Sequence, residues 1–160
     1  MDAAGVALRE HWPLLVRIAR SHARDPARCD DLLQEMAIAA WRAMPRWRGD
    51  GSLRAFIARV AHNRAMDALA ARPGKDVALD IEIPDPHGDP LERADADQRR
   101  DRLLGVVRGL PVGQRQVVVL ALEDFSQREI GQALGLEENA VAQRLSRARR
   151  QLREALGDRE

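Results

Sequence analysis

Residues 125–153 read FSQREIGQALGLEENAVAQRLSRARRQLR, and the punctuation of this stretch decides the fold of the second half of the chain. Ser126 and Glu129 form an S-x-x-E capping box, in which each side chain satisfies a backbone N–H that the first helical turn leaves unpaired. Phe125 and Ile130 flank it as an apolar staple. A helix therefore starts near Gln127 and stops at Gly135, the residue best suited to the left-handed conformation after a helix end. A second helix runs from about Glu138 through Leu156 without Gly or Pro. The pattern predicts a helix-turn-helix.

The second helix has two faces. At about 100° per residue, Val141, Leu145, Ala148 and Leu152 fall within roughly 60° of one another and must face a core. Asn139, Gln143, Ser146, Arg147 and Arg150 point the other way, with Arg144 and Arg149 on the flanks. Five arginines and no acid lie between Ala142 and Arg153. Hydrogen-bonding residues near the N-terminus with positive charge beyond them suit a helix that reads base edges and holds phosphates. A solvated basic face on a structural helix is the plain alternative, and the capped helix and glycine turn before it argue against that.

Working outward, net charge is only +1 over 160 residues, but the charge is unevenly placed. Residues 1–72 carry 12 basic against 8 acidic side chains, residues 73–100 carry 4 against 8, and residues 101–160 carry 10 against 9. Basic front and tail segments thus flank an acidic connector. Every basic residue except Lys75 is arginine, which suits bidentate phosphate and guanine contacts. Hydrophobic residues at 45% suffice for packed cores. No apolar run approaches the ~20 residues of a membrane span, and the N-terminus lacks the pattern of a signal peptide. The single cysteine excludes an internal disulfide and fits a reducing cytosol, so a cytoplasmic protein without membrane insertion is expected.

From the N-terminus, Leu8, Trp12, Leu15, Ala19 and His22 form one helical stripe over residues 5–24, with Pro13 demanding a kink or a late start near Trp12. Asp30 can cap a second helix to about Met44, with Leu33, Ala37, Ala40, Trp41 and Met44 on its buried side. Asp31, Gln34, Glu35, Ile38 and Arg42 make a mostly polar side. Pro45 to Gly51, PRWRGDG, is a loop carrying Arg46, Trp47 and Arg48. Ser52 can cap a helix over 52–71 that buries Leu53, Phe56, Ile57, Val60, Ala61 and Leu69, while Arg59, Asn63 and Asp67 share a different face. An indole in a basic loop beside an exposed Arg and Asn suits single-stranded nucleic acid, through stacking and a base-edge hydrogen bond. A tryptophan that merely plugs the end of a three-helix core fits the same residues.

Residues 73–90, with four of the eight prolines, have no helical period and read as a flexible acidic linker. Fully extended at ~3.3 Å per residue they would span about 60 Å. Residues 91–109 return to helix through Leu103, Leu104, Val107 and Leu110, and Pro111 opens an apolar helix ending in VVVLALED. The fold class is therefore all-α: two small helical domains, 1–72 and 91–160, joined by the linker. No phosphate-binding loop, dinucleotide fingerprint, HExxH or CxxC is found. His11, His22 and Cys29 match no common zinc spacing. Neither an enzyme nor a bound cofactor is expected.

Residues 30–72, DDLLQEMAIAAWRAMPRWRGDGSLRAFIARVAHNRAMDALAAR, resemble the second domain of bacterial extracytoplasmic-function (ECF) sigma factors of the sigma-70 superfamily. Residues 110–156, LPVGQRQVVVLALEDFSQREIGQALGLEENAVAQRLSRARRQLREAL, resemble the fourth. The resemblance covers about residues 8–72 and 98–156 and implies a dissociable RNA polymerase subunit that recognises and melts promoters. Asp31, Gln34, Glu35 and Ile38 would dock on the β′ clamp helices of core polymerase, and the β flap would meet the other domain. Arg46, Trp47, Arg48, Arg59 and Asn63 would hold the single-stranded −10 element, Trp47 standing where the family usually has Phe and Asn63 closing an R-V-A-H-N motif. Asn139, Gln143, Arg144, Ser146, Arg147, Arg149 and Arg150 would engage the −35 duplex.

Ala140, Ala142, Asn139 and Ser146 depart from the family's usual residues at the base-reading positions but leave the docking mode in place. An anti-sigma factor is the implied regulator. A sigma-like decoy that only sequesters such a factor is the alternative, though a decoy has no need of DNA-reading residues.

Overall fold

A computed structural model describes residues 2–49, 51–70 and 91–157. The expected linker 73–90, its boundary with the first domain and the burial of Leu69 lie outside what is described. The described residues form eight α-helices and no strand: α1 Ala3–Glu10, α2 Trp12–His22, α3 Pro26–Ala43, α4 Leu53–Ala70, α5 Leu91–Arg108, α6 Val112–Leu122, α7 Gln127–Leu134 and α8 Glu138–Leu156.

The first stripe is two helices. The chain breaks at His11, and Pro13 falls in the first turn of α2, where its missing N–H costs nothing. Trp12 remains 39% exposed and drops out of the expected stripe, whose other members, Leu8, Leu15, Ala19 and His22, are buried or partly buried. The cap of α3 is Asp25, not Asp30: its carboxylate accepts from Arg28 N at 3.1 Å, and Pro26 opens the helix. Of the buried side expected for α3, Ala40 is buried and Leu33, Ala37 and Met44 pack partly buried against the core, but the deepest line is shifted to Leu32, Met36 and Ala40. That shift turns Trp41 outward, half exposed. Ser52 caps α4 as expected, accepting from Ala55 N at 2.9 Å. Small residues Ala55, Ala58, Ala61 and Ala65 bring α4 close to its neighbours, with Ile57 filling the gap.

In the second half, α8 packs on α6, α7 and α5. The α6–α7 corner turns through Asp124, whose φ of +66° is a conformation Asp tolerates better than most residues. The turn between α7 and α8 is tight. Leu136 N donates to Gly131 O at 2.9 Å, and a Cβ built on Gly131 would sit 2.5 Å from Leu136 O. Only glycine fits there.

The two halves are packed together. Buried residues from α2, α3 and α4 run into those of α5 through α8 as one continuous cluster, with α7 against α4 and both α5 and α6 against α2. Polar contacts cross the same seam. Arg17 pairs with Glu123, Arg54 donates to Glu123 O, and the Arg54 guanidinium lies 4.0 Å from the Phe125 ring centre. Arg108 Nε donates to Arg20 O at 2.9 Å.

Gly131→Ala is expected to lower stability by about 1–3 kcal/mol, the usual cost of overpacking, because the obstacle is backbone rather than a mobile side chain. Ser126→Ala should cost about 1 kcal/mol through the lost cap. Denaturant unfolding of the two variants beside the parent checks both values.

Candidate nucleic-acid interface

The helix-turn-helix is built as its sequence dictates. Ser126 Oγ accepts from Glu129 N at 3.0 Å, and Ser126 N donates to Glu129 Oε1 at 2.9 Å. Phe125 and Ile130 on either side are buried. Gly135 takes φ +73° and ends α7. In α8, Val141, Leu145 and Ala148 are buried, with Leu152 partly so. Because this line is consumed by the core, the opposite face is fixed outward. Asn139, Gln143, Ser146, Arg147, Arg149 and Arg150 are all exposed on it.

Arg144 behaves differently from the flank position expected of it. It is only partly exposed, and a Cβ on Gly113 would lie 2.7 Å from its Nη1. Its guanidinium therefore rests on the first turn of α6, in space that a glycine leaves open. Glu137 and Glu138 at the start of α8 are exposed. They favour the helix by facing the positive end of its dipole.

The second candidate surface is the segment between α3 and α4. Met44–Arg46 forms a single 3-10 turn, closed by Trp47 N donating to Met44 O at 3.0 Å. Gly49 and Gly51 take φ of +88° and +73°, so the chain reverses through conformations that other residues resist. Arg46 and Arg48 are exposed on either side of a half-buried Trp47. The Trp47 Nε1 is itself buried and has no hydrogen-bond partner among the described residues. Arg59 and Asn63 stand exposed one turn apart on α4. No hydrogen bond joins them to the Trp47 segment among the described residues, so the structure brings them to one domain without locking them into one site.

Asp31, Gln34, Glu35 and Ile38 are exposed on α3, with Ile38 48% exposed. Two partners on this surface escaped the sequence reading. Arg64 reaches from α4 to Glu35 Oε1 at 3.1 and 2.9 Å, holding the carboxylate in place. As an exposed pair it adds little to stability. Trp41 stands one turn beyond Ile38 and extends its apolar strip. The spacing 38–41 could have suggested this, had the inward line of α3 been placed one residue earlier.

Two family descriptions match the chain: Sigma-70 region 2 over residues 7–73 and Sigma-70, region 4 over residues 100–152. The RNA polymerase sigma-E factor of Streptomyces avermitilis is 33% identical over 157 residues, covering 96% of this chain and 84% of that protein. The RNA polymerase sigma factor CnrH of Cupriavidus metallidurans is 29% identical over 161 residues, covering 94% and 84%. The solved structure of CnrH with the cytosolic domain of CnrY superposes with a TM-score of 0.71 at 28% identity, over 99% of this chain and 90% of that one. The sigma factor RpoE of Bartonella quintana, solved with the anti-sigma factor NepR, shares the fold at a TM-score of 0.76 and 20% identity, over 98% of each chain. Two sigma regions in order, on an all-helical scaffold with an outward basic helix, leave one assignment: the chain belongs to the sigma-70 family of RNA polymerase sigma factors, in its extracytoplasmic-function group.

Proposed function

We propose that the chain directs RNA polymerase to promoters by gripping them at two places, as duplex through α8 and as an unpaired strand through the Trp47 segment. The observation that carries this reading is the division of α8. Its apolar line is spent on the core, and six of the seven residues expected to touch DNA stand free on the opposite face. Asn139, Gln143 and Ser146, nearest the N-terminus, read base edges in the −35 major groove, while Arg147, Arg149 and Arg150 hold bases or phosphates. Arg144 must swing off Gly113 to join them.

At the −10 element, Trp47 offers an indole on which an extruded base stacks, Arg46 and Arg48 track the backbone, and Asn63 with Arg59 supplies polar contacts. Stacking of this kind contributes about 1–3 kcal/mol per base, enough to offset much of the cost of unpairing. On α3, Asp31, Gln34, Glu35 and Ile38, extended by Trp41, form the surface for the β′ clamp helices, and the second domain meets the β flap. An anti-sigma factor controls the chain, a reading supported by the solved complex of the similarly folded RpoE with the anti-sigma factor NepR, and the protein works in the cytoplasm. No described helix is long and apolar enough to cross a membrane.

Two substitutions test the division of labour. Trp47→Ala in reconstituted holoenzyme is expected to reduce permanganate reactivity of the melted strand while leaving gel-shift affinity for duplex promoter nearly unchanged. Equal losses in both would remove Trp47 from the melting role. Arg147→Ala should weaken −35 binding by about 1–3 kcal/mol if it contacts a base, read by competition gel shift against promoters changed at single −35 positions.

A further inference from the structure

The seam between the two halves has an unusual centre. His22, at the end of α2, and His62, in the middle of α4, are 6% and 1% exposed. Their rings meet edge to face with centroids 5.6 Å apart. From the other half, Arg115 of α6 brings Nη1 to 3.3 Å from His22 Nδ1. His22 Nε2 and both ring nitrogens of His62 are buried without a hydrogen-bond partner among the described residues. A buried, unsatisfied polar atom costs about 1–3 kcal/mol, so this junction is held by the surrounding packing rather than by its own bonds.

Both neighbours that act on the His22 ring, His62 and Arg115, disfavour its protonated form. From α5, Arg108 is occupied on Arg20 O. On α3, Cys29 feels Arg20, Asp30 and Arg108, and Asp30, Asp31 and Glu35 are exposed. Arg9 and Glu10 of α1 and Arg128 of α7 are exposed as well, and Glu129 of α7 is engaged with Ser126. A proton arriving on His22 therefore meets a guanidinium directly across the seam and a second imidazole behind it.

We propose that the His22–His62–Arg115 junction is a proton-sensitive latch between the two domains: with neutral histidines the second domain closes on the first, and protonation of His22 against Arg115 releases it. Closure matters because α7, the first helix of the helix-turn-helix, then packs on α4, which carries Arg59 and Asn63. Packed helices lie about 8–10 Å apart, whereas DNA advances ~34 Å per turn. The closed chain cannot grip two promoter elements separated by a turn or more.

The sign of the effect follows from burial. Desolvation lowers both rings from the ordinary value, His62 to about 4 and His22 well below it, with His62 and Arg115 adding to the latter. Opening returns His22 to water and toward the ordinary ~6.5. The open form then binds the proton more tightly. The proton-linked part of closure is fully present above about pH 6.5 and is lost as pH falls below it, by up to about tenfold in the open-to-closed ratio per pH unit.

The consequence for promoters rests on the reading above, but the latch does not, and it is tested without DNA or polymerase. Small-angle scattering of the full chain from pH 8 to pH 5, with helical circular dichroism alongside, should show a compact particle at pH 8. It should expand below about pH 6.5 with helicity intact. His22→Gln, which keeps an acceptor for Arg115 but cannot titrate, should hold the compact radius or expand at least one pH unit lower. Should that variant not fold, ring-proton NMR of the unmodified chain decides, because His22 must titrate at the pH of expansion. A chain already extended at pH 8, no expansion by pH 5, expansion that tracks loss of helicity, or the same midpoint in His22→Gln each overturns the latch.

Discussion

The outward face of α8 depends on the burial of one line of side chains: Val141, Leu145 and Ala148, pressed against α6. A helix has only one rotational setting that hides such a line, so the core fixes which residues face outward before any DNA arrives. The capping box at Ser126, the left-handed Gly135 and the close approach at Gly131 then set the angle at which α8 leaves α7. Under the proposed reading, recognition is pre-organised: the face of α8 is aimed by packing, and the arginines on it need only choose rotamers.

The first domain solves a different problem. Under the proposed reading it holds an aromatic ring and two cations on a loop without letting the ring collapse into the bundle. The 3-10 turn and the two left-handed glycines do this by reversing the chain over a few residues, leaving Trp47 half covered between Arg46 and Arg48. Neighbouring α3 turns Ile38 and Trp41 to solvent because its core line is complete with Leu32, Met36 and Ala40. The exposed pair is a surplus of apolar surface that the domain itself cannot use, as expected of a surface made to meet another protein.

Between the domains the packing is of mixed quality. Arg54 over Phe125 and Arg17 on Glu123 are favourable contacts at the rim. At the centre, two imidazoles and a guanidinium meet with several ring nitrogens unsatisfied. An interface that opens, as proposed, takes the Arg115 guanidinium away from the His22 ring.

The sequence by itself determined the helices whose ends are marked by local chemistry. Ser126 with Glu129, Gly135, Pro111 and Ser52 act on their own backbone neighbours, and no distant residue can cancel them. It likewise determined the two faces of α8, because five arginines opposite a strict apolar line allow one rotation only. On α3 it set Trp41 in the core and passed over Leu32 and Met36, because the adjacent lines 32–36–40 and 33–37–41 are nearly equally apolar. Contact with α2 and α4 decides between them. Only the tertiary structure could reveal Arg64 on Glu35, Arg144 on Gly113 and the meeting of His22, His62 and Arg115. These side chains are brought together by the packing of helices distant in sequence, and no periodicity along one helix records what another helix sets against it.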